Sequence, residues 1–600
     1  MSKVIASRLK NVLPSIIHHN QTGFIKDRYI GETVRSIFDI MEFTLKENIP
    51  GLMIFLDFQK AFDSVEWDFI LECLESFNFG PEFVGWVKTF YTNIQSCIIN
   101  NGTISDLFTL ERGVRQGDPL SPYLFVLAAE ALAIAVRQNK DITGITIEKE
   151  ETKLLQYADD MTATLSDINS LQALLDLLEV YKNASGLTIN CSKTEGMWIG
   201  SLRNNRIKPF GLKWPDEPIK ALGVYYSYDE KLLAEKNFIE NLDKIKKLMN
   251  IWSSRGLSLY GKVTIIKALV IPKMVYLFSL IPTPEVVVTE LNRIIYKFLW
   301  KGTDKVTRLS AINEYEKGGL KMIDIECMIK SLRLAWLKRI FSSNRGTWKS
   351  YLCHLLVKYG GLFLFNCNFN VNDFSIHSKF YTELLQWWSD FREDFASIKD
   401  WNSIIWNNKE IRVNDSPVYY RNYFDSDIFY VSDLLFNLNN TESFDVIAKK
   451  IRKTNFLVWT GLRYSVPNYL KNNIITAAPS SKSPLLTIDN QVFDVMEKKS
   501  KQYYSLLIGK KAQLPSAAGK LQKDFNLSLD QLKQLFTLPH KVTLEPYVRA
   551  FQYKVLNSIL YTNSKLYKIG YSQQDLCTFC KSYPEKLNHL LYSCPCSKAI

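Results

Sequence analysis

The sequence predicts an α+β fold over its first 230 residues and a mostly helical remainder. As far as residue 230, short apolar runs of strand type mix with helical periodicities, without the regular strand–helix–strand repeat that builds a parallel sheet. From residue 231 helical spacing takes over. Four of the ten cysteines then crowd into the last 24 residues, so a small metal-held module is expected at the end.

In order, Val4, Ile5, Leu9, Val12 and Leu13 recur at helical spacing, and Pro14 is expected to end that helix. Val34, Ile37, Ile40, Met41 and Phe43 mark a second helix over 31–48. Gly51 opens Leu-Met-Ile-Phe-Leu, a continuous apolar run of buried-strand type. Trp67 to Phe77 reads as helix, and Asn101-Gly102, flanked by 96–100 and 108–110, is a hairpin signal. Tyr123 to Arg137 is an apolar helix, 153–165 a strand, turn and strand, and Ile168 to Ala184 an amphipathic helix. Leu242, Ile245, Leu248, Met249 and Trp252 keep helical spacing, as do Val263, Ile266 and Leu269, and helix is expected to continue around Gly318-Gly319. Beyond 350 aromatic residues are dense and periodicity is poor; 477–484, AAPSSKSP, reads as a linker. The most apolar stretch, Ala268 to Pro282, holds Lys273 and two prolines and reads as a buried helix rather than a membrane span.

A chain of 600 residues implies several domains, and 46% apolar with 22% charged residues excludes a wholly disordered or collagen-like protein. The start, SKVIASRLKN, lacks the apolar stretch of a secretory signal, so a soluble intracellular protein, nuclear and cytoplasmic, with no membrane partner is expected. The net charge of +13 is unevenly spread. Residues 51–200 hold 10 basic and 21 acidic side chains, residues 201–350 hold 27 and 14. Carboxylates beside a basic segment suit an enzyme that holds cations and follows a phosphate backbone. Cys73, Cys97, Cys191, Cys327, Cys353 and Cys367 are scattered singly and read as reduced thiols.

The chemistry begins at Asp57, where the buried strand ends. Alone it reads as a helix cap, and Asp63 in LDFQKAFDSVEW also reads as an N-terminal cap. Asp159 and Asp160, in Tyr157-Ala158-Asp159-Asp160, interrupt an apolar stretch; alone they read equally as a polar hairpin turn. If the two strands are neighbours, three carboxylates converge, as is needed to hold hard Mg²⁺ ions for in-line phosphoryl displacement. Between them lies GVRQGDPLSPYLF. Gly117 admits a close approach of backbone to ligand, and Asp118-Pro119 is expected to start a helix, with Arg115 and Gln116 just before that start.

Together LDFQKAFD, RQGDPLSP and YADD resemble the catalytic motifs of reverse transcriptases, specifically those of non-LTR (long interspersed element type) retrotransposons. The opening SKVIASRLKNVLPSIIHHNQTGFIKDRYIGETV resembles their fingers segment. SGLTINCSKTEGM resembles the motif with a lysine near the triphosphate, and LGVYYS the primer grip. Residues 252–284 are similar to the helical thumb, and GGLKMIDI and SLRLAWLKR also fit. The match spans roughly residues 1–340 and the last 30.

The resemblance implies a polymerase right hand. Partial fingers and a palm with an antiparallel sheet would occupy 1–230, a basic helical thumb 231–345, and a connecting region of unassigned role 346–565; a zinc knuckle would close the chain at 570–600. It implies two Mg²⁺ on Asp57 and Asp159 with Asp160 in support. Phe62 would stack under the sugar and exclude a 2′-hydroxyl, which argues against an RNA-directed RNA polymerase. Arg115, Gln116 and Gly117, with Leu222 and Gly223 of the primer grip, would contact nucleotide and template, and Lys193 would approach the pyrophosphate and protonate the leaving group. The expected partners are an RNA template, a DNA primer or target and deoxynucleoside triphosphates. The upstream endonuclease and the triphosphate-gripping arginine of such elements are expected to be absent from a chain truncated at both ends. Lys3, Arg8, Lys26 and Arg28 receive no such role. The alternative is an inactive nucleic-acid-binding remnant.

Cys577-x2-Cys580-x8-His589-x4-Cys594 supplies three thiolates and an imidazole for one tetrahedral structural Zn²⁺, with Cys596 an equally good fourth ligand on spacing. Lys581 and Lys586 would give it a basic rim facing nucleic acid.

Overall fold

The computed structural model describes residues 1–216, 218–434, 442–451, 454–472 and 483–599. The linker expected at 477–484 lies, as far as residue 482, outside them. Two compact units share the chain, and each is assembled from two separate stretches: 1–233 with 337–497, and 234–336 with 498–600. The 346–565 segment is therefore divided between the units.

The first unit opens with α1 (Ser2–Ile16), α2 (Ile30–Lys46) and β1 (Pro50–Leu56). Pro14 lies inside α1 instead of ending it. So near the C-terminus it forfeits one intrahelical bond, and Ile17 N still donates to Leu13 O. Next come α3 (Ala61–Ser64), α4 (Trp67–Ser76) and α5 (Pro81–Tyr91). A short ribbon follows, in which β2 (Gln95–Ser96) pairs with β5 (Phe108–Thr109) and β3 (Ile99–Asn100) with β4 (Thr103–Ile104). Asn101 and Gly102 take φ of 49° and 84° at its tip, the left-handed pair that a two-residue hairpin requires.

α6 (Ser121–Gln138) is buried around most of its girth. It starts at Ser121 with Pro122 in its first turn, three residues after the expected cap. Asp118 is engaged elsewhere: its carboxylate accepts from Leu120 N at 2.8 Å and from Ser2 Oγ, closing a turn instead of capping the helix. β6 (Ile145–Ile147), β7 (Glu150–Thr152), β8 (Leu154–Tyr157), β9 (Asp160–Leu165), α7 (Ile168–Ser185) and β10 (Glu195–Gly200) complete this part, ahead of the hairpin of β11 (Ile219–Ala221) and β12 (Val224–Tyr226).

The central sheet is antiparallel with strand order β10-β1-β9-β8. β1 lies inside it, which is why Leu-Met-Ile-Phe-Leu is apolar on both faces and buried from Gly51 to Leu56. Phe55 pairs with Glu195, and Leu56 with Met161. The sheet therefore ends, on one side, at Asp57, Asp160 and the start of β10. The helix Thr347–Leu356 packs on α2, and Lys379–Phe395 places Tyr381 against it, so residues far along the chain complete the cover of this unit.

The second unit is helical, with Glu240–Ser253, Leu259–Ile265, Pro272–Leu280, Glu285–Trp300 and Ile325–Leu334 as its first stretch. The apolar run read as one buried helix is bent, a π-helical turn at Ile266–Val270 meeting Pro272–Leu280, and Met274, Leu277, Phe278 and Leu280 are buried. Among the described residues no single helix is long and apolar enough to cross a membrane. Ser500–Lys511 packs on Ile325–Leu334, with Lys511 Nζ 2.9 Å from Asp324 and 2.7 Å from Glu326.

Candidate active site and zinc-ligand cluster

Asp57 follows directly on β1 and caps no helix. Its amide donates to Thr194 Oγ1 at 3.3 Å, and its carbonyl accepts from Asn190 N at 2.7 Å. The loop from α7 to β10 thus fixes the backbone of Asp57, and sequence reasoning had singled out neither Asn190 nor Thr194. β8 and β9 form a hairpin closed at Tyr157↔Asp160, with Ala158 and Asp159 at the turn and Ala158 at φ 56°. The register of β1 on β9 sets this turn beside Asp57.

Partial removal from water, then the charge of Asp57, raises the pKa of Asp159 above the ordinary aspartate value. The same desolvation, then the charges of Asp159 and Asp57, pushes Asp160 up to about 6. Asp57, Asp159 and Asp160 share one end of the sheet, but no choice of one oxygen from each brings all three within 4.8 Å of one another.

Phe62, in α3, is half-buried and stacks on Phe125 with ring centroids 4.4 Å apart and planes 18° apart. Asp63 is not a cap. α3 begins two residues earlier, at Ala61, and Asp63 instead accepts a hydrogen bond from Gln116 Nε2 at 3.1 Å. Arg115 Nη2 donates to Phe90 O at 2.9 Å, with its guanidinium 5.8 Å from the Tyr91 ring centroid. Gly117, at φ 88°, has open space where a Cβ would stand. Lys193 lies exposed next to Thr194, and Leu222 and Gly223 form the left-handed turn between β11 and β12 at φ 50° and 75°. Arg28 is committed to backbone: its guanidinium donates to the carbonyls of Pro14, Ile17, His18 and Gln21.

Residues 1–226 match the family described as reverse transcriptase (RNA-dependent DNA polymerase). This stretch is a reverse transcriptase domain. Its relatives are proteins of non-LTR retrotransposons. The chain is 32% identical over 346 residues to the transposon TX1 uncharacterized 149 kDa protein of Xenopus laevis, covering 56% of this chain and 26% of that one. It is 25% identical over 368 residues to a retrovirus-related Pol polyprotein from the type-1 retrotransposable element R2 of Nasonia vitripennis, covering 58% and 34%. The chain thus spans about a quarter to a third of these relatives. A solved telomerase from Candida albicans, in complex with a fragment of telomeric RNA, covers 64% of this chain and 56% of its own at 12% identity and a TM-score of 0.30, too low for any inference.

In the second unit, residues 525–600 match the family described as zinc-binding in reverse transcriptase. The ligand atoms of Cys577, Cys580, His589 and Cys594 all lie within 4.8 Å of one another, the only such group among the described residues. Cys577 Sγ is 3.9 Å from Cys594 Sγ, and Cys580 Sγ is 3.2 Å from His589 Nε2. Cys596, equally good on spacing, is exposed and outside the group. Glu585 buttresses the cluster by accepting from Thr578 N at 2.7 Å and Asn563 N at 2.8 Å. Burial raises its pKa, but these bonds outweigh it and leave the carboxylate below its ordinary value. Three sulfurs and one imidazole are the donor set of a closed structural zinc site. Lys581 and Lys586 are exposed beside it.

Proposed function

We propose that this chain is an RNA-directed DNA polymerase that extends a DNA 3′-hydroxyl along an RNA template, as target-primed reverse transcription requires. The observation that carries the reading is the register of the central sheet, with Leu56 opposite Met161 and Asp57 beside the turn that bears Asp159 and Asp160. Asp57 raises the proton affinity of Asp159, and both raise that of Asp160; carboxylates gathered in this way form a donor set that a hard divalent cation satisfies, so these residues fit Mg²⁺. Asp57 and Asp159 would hold two ions, with Asp160 in support. Bound there, the ions stabilise charge on the attacking and leaving oxygens of an in-line phosphoryl displacement.

The other roles belong to the chain itself. Phe62, backed by Phe125, would lie under the deoxyribose and leave no room for a 2′-hydroxyl. Gln116, Gly117 and Arg115 would border the nascent pair and template, and Leu222-Gly223 the primer. The Lys193 ammonium would approach the pyrophosphate and donate a proton to it. Cys577, Cys580, His589 and Cys594 would hold one structural Zn²⁺, with Lys581 and Lys586 turned to a nucleic-acid backbone. The chain would work in nucleus and cytoplasm, on a nick made by another protein or domain.

The test is primer extension by the purified chain on poly(rA)–oligo(dT) with Mg²⁺ and dTTP, beside Asp159→Asn. The expected result is extension that Asp159→Asn abolishes while RNA affinity stays within about twofold, or ~0.4 kcal/mol. Extension that survives Asp159→Asn rejects the assignment of the carboxylates. Tight, salt-sensitive RNA binding without any extension makes the chain a non-catalytic binder.

A further inference from the structure

The turn that carries Asp159 is strained and is held from outside its own hairpin. Ala158 sits at φ 56°, a left-handed conformation that costs a residue with a Cβ roughly 1–2 kcal/mol and persists only where its surroundings enforce it. The enforcing element is the segment between α1 and α2. Residues 20–22 run alongside β8 as a short parallel partner: Gln156 N donates to Asn20 O at 2.9 Å, Thr22 N donates to Gln156 O at 2.9 Å, and Gln21 bridges Gln156. The Gln21 side chain continues past the end of β8. Its Oε1 accepts from Ala158 N at 2.9 Å and from Gly23 N at 2.8 Å, and its Nε2 lies 3.5 Å from Ala158 O.

Both backbone polar groups of Ala158 therefore face one buried amide, Gln21 being 1% exposed. Gly23 makes this approach possible, because a Cβ there would stand 2.4 Å from Ala158 N. The clasp is itself anchored, since Arg28 donates to Gln21 O at 2.7 Å. An unpaired N–H on Ala158 would be a buried donor without a partner, so the turn has a definite reason to stay where Gln21 puts it.

We infer that Gln21 is a positioning residue of the polymerase site: its side-chain amide clasps the Ala158 peptide and so sets where the Asp159 and Asp160 carboxylates stand relative to Asp57. This rests on the polymerase reading for its effect on rate, but not for its effect on the turn. Gln21 acts through Ala158.

The test compares the unaltered 600-residue chain with Gln21→Met, which keeps length and bulk but replaces the amide by a thioether, a weak acceptor with no donor, and with Thr22→Val. Thr22 is a neighbour whose hydroxyl bonds Thr33 at 2.6 Å and the Gln156 carbonyl of β8 at 3.3 Å, rather than the Ala158 peptide at the turn. Amide hydrogen exchange over 157–160 is expected to accelerate at least about tenfold in Gln21→Met, equivalent to ~1.4 kcal/mol, and to stay unchanged in Thr22→Val. In primer extension, Gln21→Met is expected to lower kcat at least about tenfold with template–primer Kd kept within about twofold, while Thr22→Val keeps kcat even where it lowers the melting temperature. Unchanged exchange over 157–160 in Gln21→Met overturns the clasp, whether or not the chain makes DNA. Faster exchange with kcat intact overturns the positioning role. If the unaltered chain makes no DNA, the polymerase reading falls and takes the effect on rate with it, and exchange alone decides the clasp.

Discussion

Arg35 and Asp39 meet at 2.8 Å one turn apart on α2, with side chains 1% and 0% exposed. Burial raises the pKa of Asp39, and the neighbouring guanidinium opposes that rise. Tyr381 OH donates to its second oxygen at 2.7 Å, and Arg35 also reaches Glu42 at 3.0 Å. Removing Arg35 or Tyr381 from this buried set leaves Asp39 with one of its two bonds unmade. Arg35→Met is expected to destabilise the chain by about 3–5 kcal/mol and Tyr381→Phe by about 1–3 kcal/mol, as read by urea denaturation. A loss below about 1 kcal/mol for Arg35→Met would mean that Asp39 is buried neutral.

The sugar gate proposed at Phe62 gives a prediction for two residues. Phe62→Val should raise the kcat/KM for UTP relative to dTTP by about tenfold or more. Phe125→Leu should move the ratio in the same direction but less far, because it removes only the ring behind Phe62, a stack worth roughly 0.5–1.5 kcal/mol. Equal use of UTP and dTTP by the unaltered chain would end the gate assignment.

Metal removal should act locally. A zinc chelator, or Cys594→Ser, is expected to speed amide exchange across 563–599, the stretch that Glu585 ties together, and to leave the helical circular dichroism almost unchanged. Collapse of the helical signal throughout the chain would contradict a local structural role.

Acid should weaken the first unit through His18. Burial, then the charges of His19, Arg137 and Arg28, lowers its pKa to about 3, against the partial pull of Glu150. Its Nδ1 accepts from Asn20 N, as a neutral ring does. The folded pKa is below the ordinary value of 6.5, so the unfolded state takes up the proton first. The penalty is absent above about 6.5, grows as pH falls from there, and levels off near 3. Solvent screening of this partly exposed ring limits the effect to about 1 kcal/mol. His18→Asn should flatten the dependence of melting temperature on pH between 7 and 4.5, and an equally steep dependence in that variant would assign the loss to other groups.

The parts legible in the sequence are those whose chemistry is unusual for their place. A carboxylate at the end of the apolar run to Leu56, two adjacent acids inside another apolar stretch, and three cysteines and a histidine at ligand spacing all stand out by residue type. Gln21 does not, because a neutral amide in a polar stretch is ordinary until the backbone places it against Ala158. The start of α6 is hidden for a related reason: Asp118-Pro119 has the composition of a helix start, but a neighbouring turn consumes the carboxylate and the helix begins at Ser121. The apportioning of 346–565 between two units depends on contacts between residues hundreds of positions apart, and no periodicity within a window records those.

The split make-up of the first unit has a consequence during synthesis. Asp39 and its partner Tyr381 are 342 positions apart. At the usual 5–20 residues per second, a ribosome needs roughly 20–70 s to deliver the second after the first. Once residue 160 has been made, the nascent chain carries Asp57, Asp159 and Asp160 for the rest of that interval while α2 still lacks Thr347–Leu356 and Tyr381. Expression cut at residue 230 would make that interval permanent, exposing the apolar flank of α2 to the folding machinery and to other copies of itself.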